Sequence, residues 1–388
     1  MITVGGTNGK GSCVAMLEAM AMAAGYHTAC YTSPHLLRYN ERVRIDGLAV
    51  DDDALCTAFQ GVEAARGPVP LTYFEAGTLA AVVLFAEHRP GLCVLAVGLG
   101  GRLDAVNLLA AAGAVVTSIG LDHVDWLGPD LDAIAAEKAG IFRAGRVAVI
   151  GQPDAPASLR GCARTRGARV LQLGHEIGVE LQPASGWRWS GEDGQSFALP
   201  LPAMRGPFQV HNAAAAVTAL RAIADTLAVP VRALREGLLR ARLPGRFQVI
   251  PGDVTLILDV AHNPQAAEAL VGNLRAFPCR GGLRVIIGVL ADKEPEAIVA
   301  ALRPLVRAWY LTAGEDPRAL VPSALAERVG PVLRGDPMAV MPSVAAALDR
   351  ARSDSGPGDC VLICGSFTVV GEALAHMGRS GMAGILAR

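Results

Sequence analysis

The stretch "GGTNGKGS" (Gly5–Ser12) sets Lys10 among four glycines, between an apolar run, Ile2–Val4, and a segment with apolar spacing near 3.6. A glycine-rich turn between a strand and a helix exposes backbone N–H groups at the helix N-terminus. Those groups cradle phosphate oxygens, and a lysine adds a point charge for the terminal phosphates. The strict phosphate-loop pattern asks for a glycine at the place held by Val4, and it has no residue between the lysine and the Ser/Thr, where Gly11 stands. A plain strand–turn–helix with a surface lysine fits the same stretch.

Other groups stand at ends of apolar runs. Ser33, in "YTSPHLLRYNERVRIDG", places a hydroxyl where it could reach a magnesium ion beside bound phosphate. His123, in "LDHVDWLG", is flanked by Asp122 and Asp125 and suits a metal or a phosphate. Lys138, in "EKAGIF", is either a functional amine or a lysine snorkelling to the surface. "DVAHNP" (Asp259–Pro264) brings a carboxylate, an imidazole and an amide to one turn, and "ADKE" and "CGSF" occupy equivalent strand ends. Three polar clusters along one sheet edge are harder to dismiss than any one of them.

The elements that must hold these groups alternate between strand and helix. Ile2–Val4, Thr28–Tyr31, Cys93–Val97 and Ala114–Ile119 read as short buried strands. The helix from Lys10 stops at Gly25, and Asp130 caps a second that ends at Gly140. Between residues 151 and 205, Gly, Pro, Ser and Trp become frequent, and "GWRWS" alternates with period two, predicting a small antiparallel β subregion. A helix resumes at "QVHNAAAAVTALRAIA", and Pro244-Gly245 marks a break. After it, βα repeats predict a second parallel sheet, with Pro264 opening a helix.

The fold class is therefore α/β in two domains, residues 1–244 with a parallel sheet and the small β subregion and residues 245–388 with a Rossmann-like βα pattern. Of the 388 residues, 52% are hydrophobic and 18% charged, enough apolar surface for two large cores. A net charge of −1 without a basic stripe argues against nucleic acid or an anionic membrane as partner. The run 105–121 is too polar for a spanning helix. Eight scattered cysteines read as buried thiols of a reducing cytoplasm.

Taken in order, "GTNGKGS", "YTSPHLLRYNERVRIDG", "LTYFEAGTLAA", "VGLGGRLDAVN", "TSIGLDHVDWLG", "AEKAGIFR", "LPGRFQ", "DVAHNP", "LADKE" and "CGSF" resemble the folylpolyglutamate synthase/dihydrofolate synthase family of the Mur-type ligases, over essentially the whole chain. "LTYFEAGT" and its flanks look most like the bacterial bifunctional type. The resemblance implies a P-loop-type ATPase role for the N-terminal domain, residues 1–244. The implied enzyme is an ATP-dependent ligase that activates a pteroate or folate carboxylate as an acyl phosphate and joins it to the amine of L-glutamate, with ATP and Mg²⁺ as cofactors. It implies nucleotide contacts at Thr7, Asn8, Gly9, Lys10, Gly11, Ser12, Asn212, Arg246 and Asp259, and metal ligands at Ser33 and His123. Lys138 matches a lysine that is carbamylated to hold a second metal. Thr72, Tyr73, Phe74, Glu75, Arg102, Asp104 and Ala105 match the pterin region, and His262 and Ser366 face the expected glutamate. Lys10, His123, Lys138 and His262 are the catalytic candidates.

Two positions depart from the family pattern. Ala96, in "VLAVGLGGR", stands where a glutamate normally ligates magnesium, and Met1 stands where a helical segment that closes over the pterin normally precedes the loop. The alternative function is therefore a catalytically impaired relative that still binds nucleotide or folate. A cytoplasmic monomer acting on dihydropteroate, reduced folates and glutamate is expected, with a hinge at "RLPGRFQ".

Overall fold

The computed structural model describes residues 1–182 and 186–378. Two compact units divide it: Met1–Ala203 with Pro207–Leu243, and Met204–Gly206 with the chain from Pro244 onward.

The first unit is built on β1 (Ile2–Gly5), β2 (Thr28–Tyr31), β3 (Val43–Ile45), β4 (Leu48–Ala49), β5 (Leu92–Ala96), β6 (Gly113–Val116), β7 (Val147–Ile150) and β8 (Arg169–Gln172). They form one sheet in the order β4-β3-β2-β5-β1-β6-β7-β8. From β2 to β8 every pairing is parallel, and β3 and β4 are an antiparallel edge. The Asp46-Gly47 turn, with both residues in the left-handed region, closes that edge hairpin. The chain leaves β1 toward β2 on one side and later returns to β6 on the other. Loops at the C-terminal ends of β5, β1 and β6 thus converge at a topological switch point.

Helices cover both faces, as buried parallel strands require. In chain order they are α1 (Lys10–Ala23), α2 (Asp52–Arg66), α3 (Tyr73–His88), α4 (Val124–Leu127), α5 (Leu131–Lys138), α6 (Ala157–Thr165), α7 (Pro207–Ala222) and α8 (Val231–Arg240). Ala29, Tyr31, Leu95 and Val97 share a core with Leu55 and Val62 of α2 and Leu84 and Phe85 of α3. Helices α7 and α8 pack on α1. Gly237 of α8 is a point of close approach: a Cβ there would lie 2.5 Å from the Met20 backbone nitrogen. Gly237→Ala is expected to destabilise the unit by about 1–3 kcal/mol through overpacking. An unchanged melting midpoint would show that α1 and α8 can separate freely.

The predicted antiparallel subregion is smaller than expected. Residues 157–165 are the helix α6 and 169–172 are β8, which extends the main parallel sheet. The antiparallel sheet is confined to β9 (Gly178–Gln182), β10 (Gly186–Ser190) and β11 (Ser196–Leu199). The frequent glycines mark turns around short elements and do not exclude a helix. The alternation of "GWRWS" does hold: Trp187 and Trp189 are both buried, and their indoles donate to Pro200 O and Thr218 Oγ1.

The second unit carries β12 (Gln248–Ile250), β13 (Thr255–Leu258), β14 (Leu283–Ile287), β15 (Val306–Leu311), β16 (Met338–Val340) and β17 (Cys360–Cys364), in the order β12-β13-β17-β14-β15-β16. Only β12 runs antiparallel. Helices α9 (Pro264–Ala276), α10 (Pro295–Leu302), α11 (Pro322–Leu333), α12 (Val344–Ser353) and α13 (Phe367–Met377) enclose it. Pro264 opens α9 as read, with Asn263 as its cap.

All eight cysteines are free thiols, but they are not uniformly buried: Cys56 is exposed and Cys93, Cys162 and Cys279 are half-buried. For Cys56 on α2 and Cys162 on α6, apolar runs in the sequence do not say which turn of an amphipathic helix faces water; Cys93 is on β5 and Cys279 lies beyond α9. Among the described residues, no helix is long and apolar enough to cross a membrane.

Candidate active site

The loop after β1 is held from below. Thr7 N donates to Ser118 O, and Asn8 N to Ser118 Oγ, while Thr117 Oγ1 donates to Asn8 O at 2.6 Å. Thr7 Oγ1 and Gly120 exchange two hydrogen bonds. The strand ends of β1 and β6 are thereby stitched together by short hydroxyl side chains. Gly6 and Gly9 lie in the positive-φ region, and a side chain at Gly9 would overlap the amide of Asn212. Helices α2, α3, α5, α9, α12 and α13 each begin on a side-chain cap, from Asp51, Thr72, Asp130, Asn263, Ser343 and Ser366. Helix α1 begins on Gly9 with no side-chain cap. Helices α6, α8, α10 and α11 also lack one, so what marks α1 is the glycine-rich turn ahead of it, at the positive end of the helix dipole.

Two lysines meet on this loop. Lys10 Nζ donates to Gly6 O at 2.8 Å and to Thr7 O at 3.1 Å, and Lys138 Nζ donates to Gly6 O at 3.3 Å. Lys138 is only 5% exposed, so it is not a snorkelling lysine. Burial, reinforced by the Lys10 charge and opposed by Asp122 and Asp104, brings its pKa down from 10.5 to about 7. A buried lysine whose amine is partly neutral at physiological pH is a functional-site marker.

Neighbouring strand ends supply the rest. Ser33 follows β2, in a turn with a cis Ser33-Pro34 bond. His123 has a left-handed backbone (φ 51°), and its Nε2 lies 3.8 Å from Asp122 Oδ1. Such strain in a non-glycine residue concentrates at functional sites. Ala96 ends β5 beside Val4, buried, with a methyl group where the family pattern implies a carboxylate. Among the described residues, no three His, Cys, Asp or Glu side chains gather as a metal cage. The Ser33 hydroxyl and the Asp122 carboxylate are oxygen donors of the kind a magnesium ion takes, with the rest of its shell left to phosphate and water; the His123 imidazole is a softer ligand.

The residues matched to the pterin region lie close by, with mixed roles. Thr72 and Glu75 form a capping box at the start of α3, so both side chains are engaged in capping the helix N-terminus. Tyr73 is exposed and edges onto Tyr39, while the Phe74 ring lies against Gly98. Arg102 pairs with Glu137 at 2.9 Å, next to Lys138. Asp104 accepts from the N–H groups of Gly98, Leu99 and Val106; burial raises its pKa against these three bonds. Ala105 opens a short 3₁₀ turn.

Arg246, Asp259, His262 and Ser366 form a group of their own in the second unit. Asp259 bridges its two loops, accepting from Phe247 N at 2.8 Å and Ala261 N at 2.9 Å. Burial raises its pKa, and Arg246 holds it down. The Arg246 guanidinium sits 5.4 Å from the Phe367 ring centroid, and the His262 ring packs on the same phenyl. His262 Nδ1 is 2.8 Å from Val260 O, which fixes the proton on Nδ1. Ser366 is buried and caps α13, accepting from Val369 N. That is a structural use of the hydroxyl which sequence spacing did not reveal.

Sequence reasoning passed over Thr117, Ser118 and Gln209. The first two were legible as hydroxyls at the end of a buried strand. Gln209 sits one turn before Asn212 on α7, a spacing that is informative only once α7 is known to lie against the loop.

Residues 4–220 match the Mur ligase middle domain, and residues 245–367 match the Mur ligase glutamate ligase domain. The chain is 44% identical to the dihydrofolate synthase/folylpolyglutamate synthase of Escherichia coli (strain K12) over 374 residues, 96% of this chain and 86% of that one. It superposes with a TM-score of 0.91 on E. coli FolC in complex with DHPP and ADP, at 42% identity, covering 98% of this chain and 89% of that one. It superposes with a TM-score of 0.89 on a bifunctional folylpolyglutamate synthase/dihydrofolate synthase with Mn, AMPPNP and L-glutamate bound, at 41% identity, covering 97% and 89%. None of these matches supports the alternative of a catalytically impaired relative. The chain belongs to the Mur ligase superfamily, in its folylpolyglutamate synthase/dihydrofolate synthase family.

Proposed function

We propose that this protein is an ATP-dependent ligase that adds L-glutamate to dihydropteroate and to reduced folates. The observation that carries the reading is the uncapped N-terminus of α1 with two lysines on one loop carbonyl, Gly6 O. A carboxylate is a poor acyl donor, because its oxygen is a poor leaving group. Attack of the folate carboxylate on the terminal phosphate of ATP expels ADP and leaves an acyl phosphate. Attack of the glutamate amine on that carbonyl then forms the amide and releases phosphate.

In this proposal Thr7–Ser12 and the α1 N–H groups hold the phosphates, and Lys10 neutralises the terminal phosphate. Ser33 and His123 would hold magnesium, and Lys138, once carbamylated, would hold a second metal ion. A magnesium ion, when bound, spreads charge on the transferring phosphoryl group. In the first unit Asn212 contacts the nucleotide, and Tyr73, Phe74, Arg102, Asp104 and Ala105 contact the pterin; in the second unit, taken by itself, Arg246 and Asp259 are the candidates for nucleotide contact and His262 and Ser366 those for glutamate. The protein works as a cytoplasmic monomer on small molecules, without nucleic acid or membrane, in keeping with its net charge of −1.

The test is ADP release by the purified protein with ATP, Mg²⁺, L-glutamate and either dihydropteroate or tetrahydrofolate. Release is expected only when all components are present, with product mass higher by one glutamyl residue. ADP release that ignores the pterin substrate would sink the assignment.

A further inference from the structure

Helix α7 reaches under the phosphate loop with two amide side chains. Gln209, 1% exposed, donates from Nε2 to Ser12 Oγ at 3.2 Å, and its Oε1 accepts from Asn212 Nδ2 at 3.0 Å. Ser12 is also 1% exposed, and Asn212 lies against Gly9. The two amides therefore touch the turn at both ends: Gly9, where α1 begins, and Ser12, in its first helical turn.

The directions of these bonds follow from the groups. An amide nitrogen is only a donor, so Ser12 Oγ must accept there, and an amide oxygen is only an acceptor, so Asn212 must donate. The chain Asn212 → Gln209 → Ser12 thus has one polarity. Any side chain that lacks either the donor or the acceptor breaks it and leaves a buried polar group unpaired.

We infer that Gln209 is a positioning residue for the nucleotide phosphates: acting through Ser12 and Asn212, it fixes the turn so that the α1 N–H groups aim at one point. Gln209 itself is buried, so its effect passes through the two residues it bonds. The inference rests on the reading of Gly5–Ser12 as the ATP-phosphate loop. Because phosphate is bound in the ground state and in the transition state alike, loss of Gln209 weakens nucleotide binding more than turnover.

The experiment uses the full chain with Gln209→Met, Ser12→Ala and the double variant, reading KM for ATP, kcat, the melting midpoint, and binding of a fluorescent ADP. Gln209→Met is expected to raise KM and the ADP dissociation constant roughly tenfold, with kcat within about threefold, the scale of one buried hydrogen bond. In the Ser12→Ala background the same substitution is expected to add less than about threefold, because the two residues act as one unit. A KM within twofold of the parent in a folded Gln209→Met protein overturns the inference, as does full multiplication of the two effects. If Gln209→Met does not fold, Gln209→Asn replaces it: it keeps the amide but is one methylene too short to reach Ser12, and the same outcomes decide. A parent chain that binds no ADP overturns the ATP reading itself, whereas a parent that binds normally beside unaffected variants overturns only the role of Gln209.

Discussion

Lys10→Ala is expected to lower pterin-dependent ADP release by about 100- to 1,000-fold at saturating ATP, the scale seen when one preorganised charge-stabilising donor is removed from a transferring group. Lys10 stands in the first turn of α1, and its side chain folds back over the loop to the carbonyls of Gly6 and Thr7. Its charge is therefore held over the loop at the α1 N-terminus, the place that the proposed function gives to the terminal phosphate. Little of the fold depends on it, because the loop is stitched to β6 through Thr7, Asn8, Thr117 and Ser118. The melting midpoint should accordingly change little. A loss below about tenfold in a steady-state ADP assay would mean that Lys10 is a structural tie and that another cation serves the transfer.

Lys138→Met is expected to abolish ligation and, measured against parent protein kept free of CO₂ so that Lys138 is the bare amine and not the carbamate, to make the protein more stable, with a gain that depends on pH. The Lys138 amine is buried beside Lys10, and its pKa falls from 10.5 to about 7. Between those values the unfolded chain binds a proton that the folded chain does not, so the stability of the parent rises with pH there. Below about pH 7 the folded protein must hold a buried ammonium, and the penalty is complete. A methionine of similar length removes it. The stabilisation is expected to be several kcal/mol at pH 6 and on the order of 2 kcal/mol smaller at pH 9. Thermal or urea unfolding at the two pH values reads it directly. A variant that is less stable at pH 6 would show that the lysine is held by favourable pairing; equal gains at both pH values would show that its proton is not involved.

Much of the architecture was legible because it rests on local signals. Asp130 and Pro264 announce helix starts through hydrogen bonding and a fixed φ, and the alternation of Trp187 and Trp189 announces a strand with one buried face. Composition failed between residues 151 and 172, where a helix and a parallel strand sit among prolines and glycines. Whether a short strand joins the main sheet or an antiparallel one depends on which strand accepts its hydrogen bonds, and its partners on β7 lie 22 positions away in the chain, as Val147 does from Arg169. The same limit hid Gln209, whose partner Ser12 is 197 positions distant.

By itself the sequence determined the α/β class, the order of the strand-end clusters and the family they resemble, because these depend on residue type and near-neighbour spacing. It also placed a glycine-rich turn with a lysine ahead of a helix. Only the tertiary structure decided that Lys138 is buried beside Lys10 on a shared carbonyl, that Thr72, Glu75 and Ser366 spend side-chain groups on capping helices, and that α7 braces the loop from beneath. Those outcomes turn on desolvation and on hydrogen bonds between residues far apart in the chain, which exist only once the strands have chosen their neighbours.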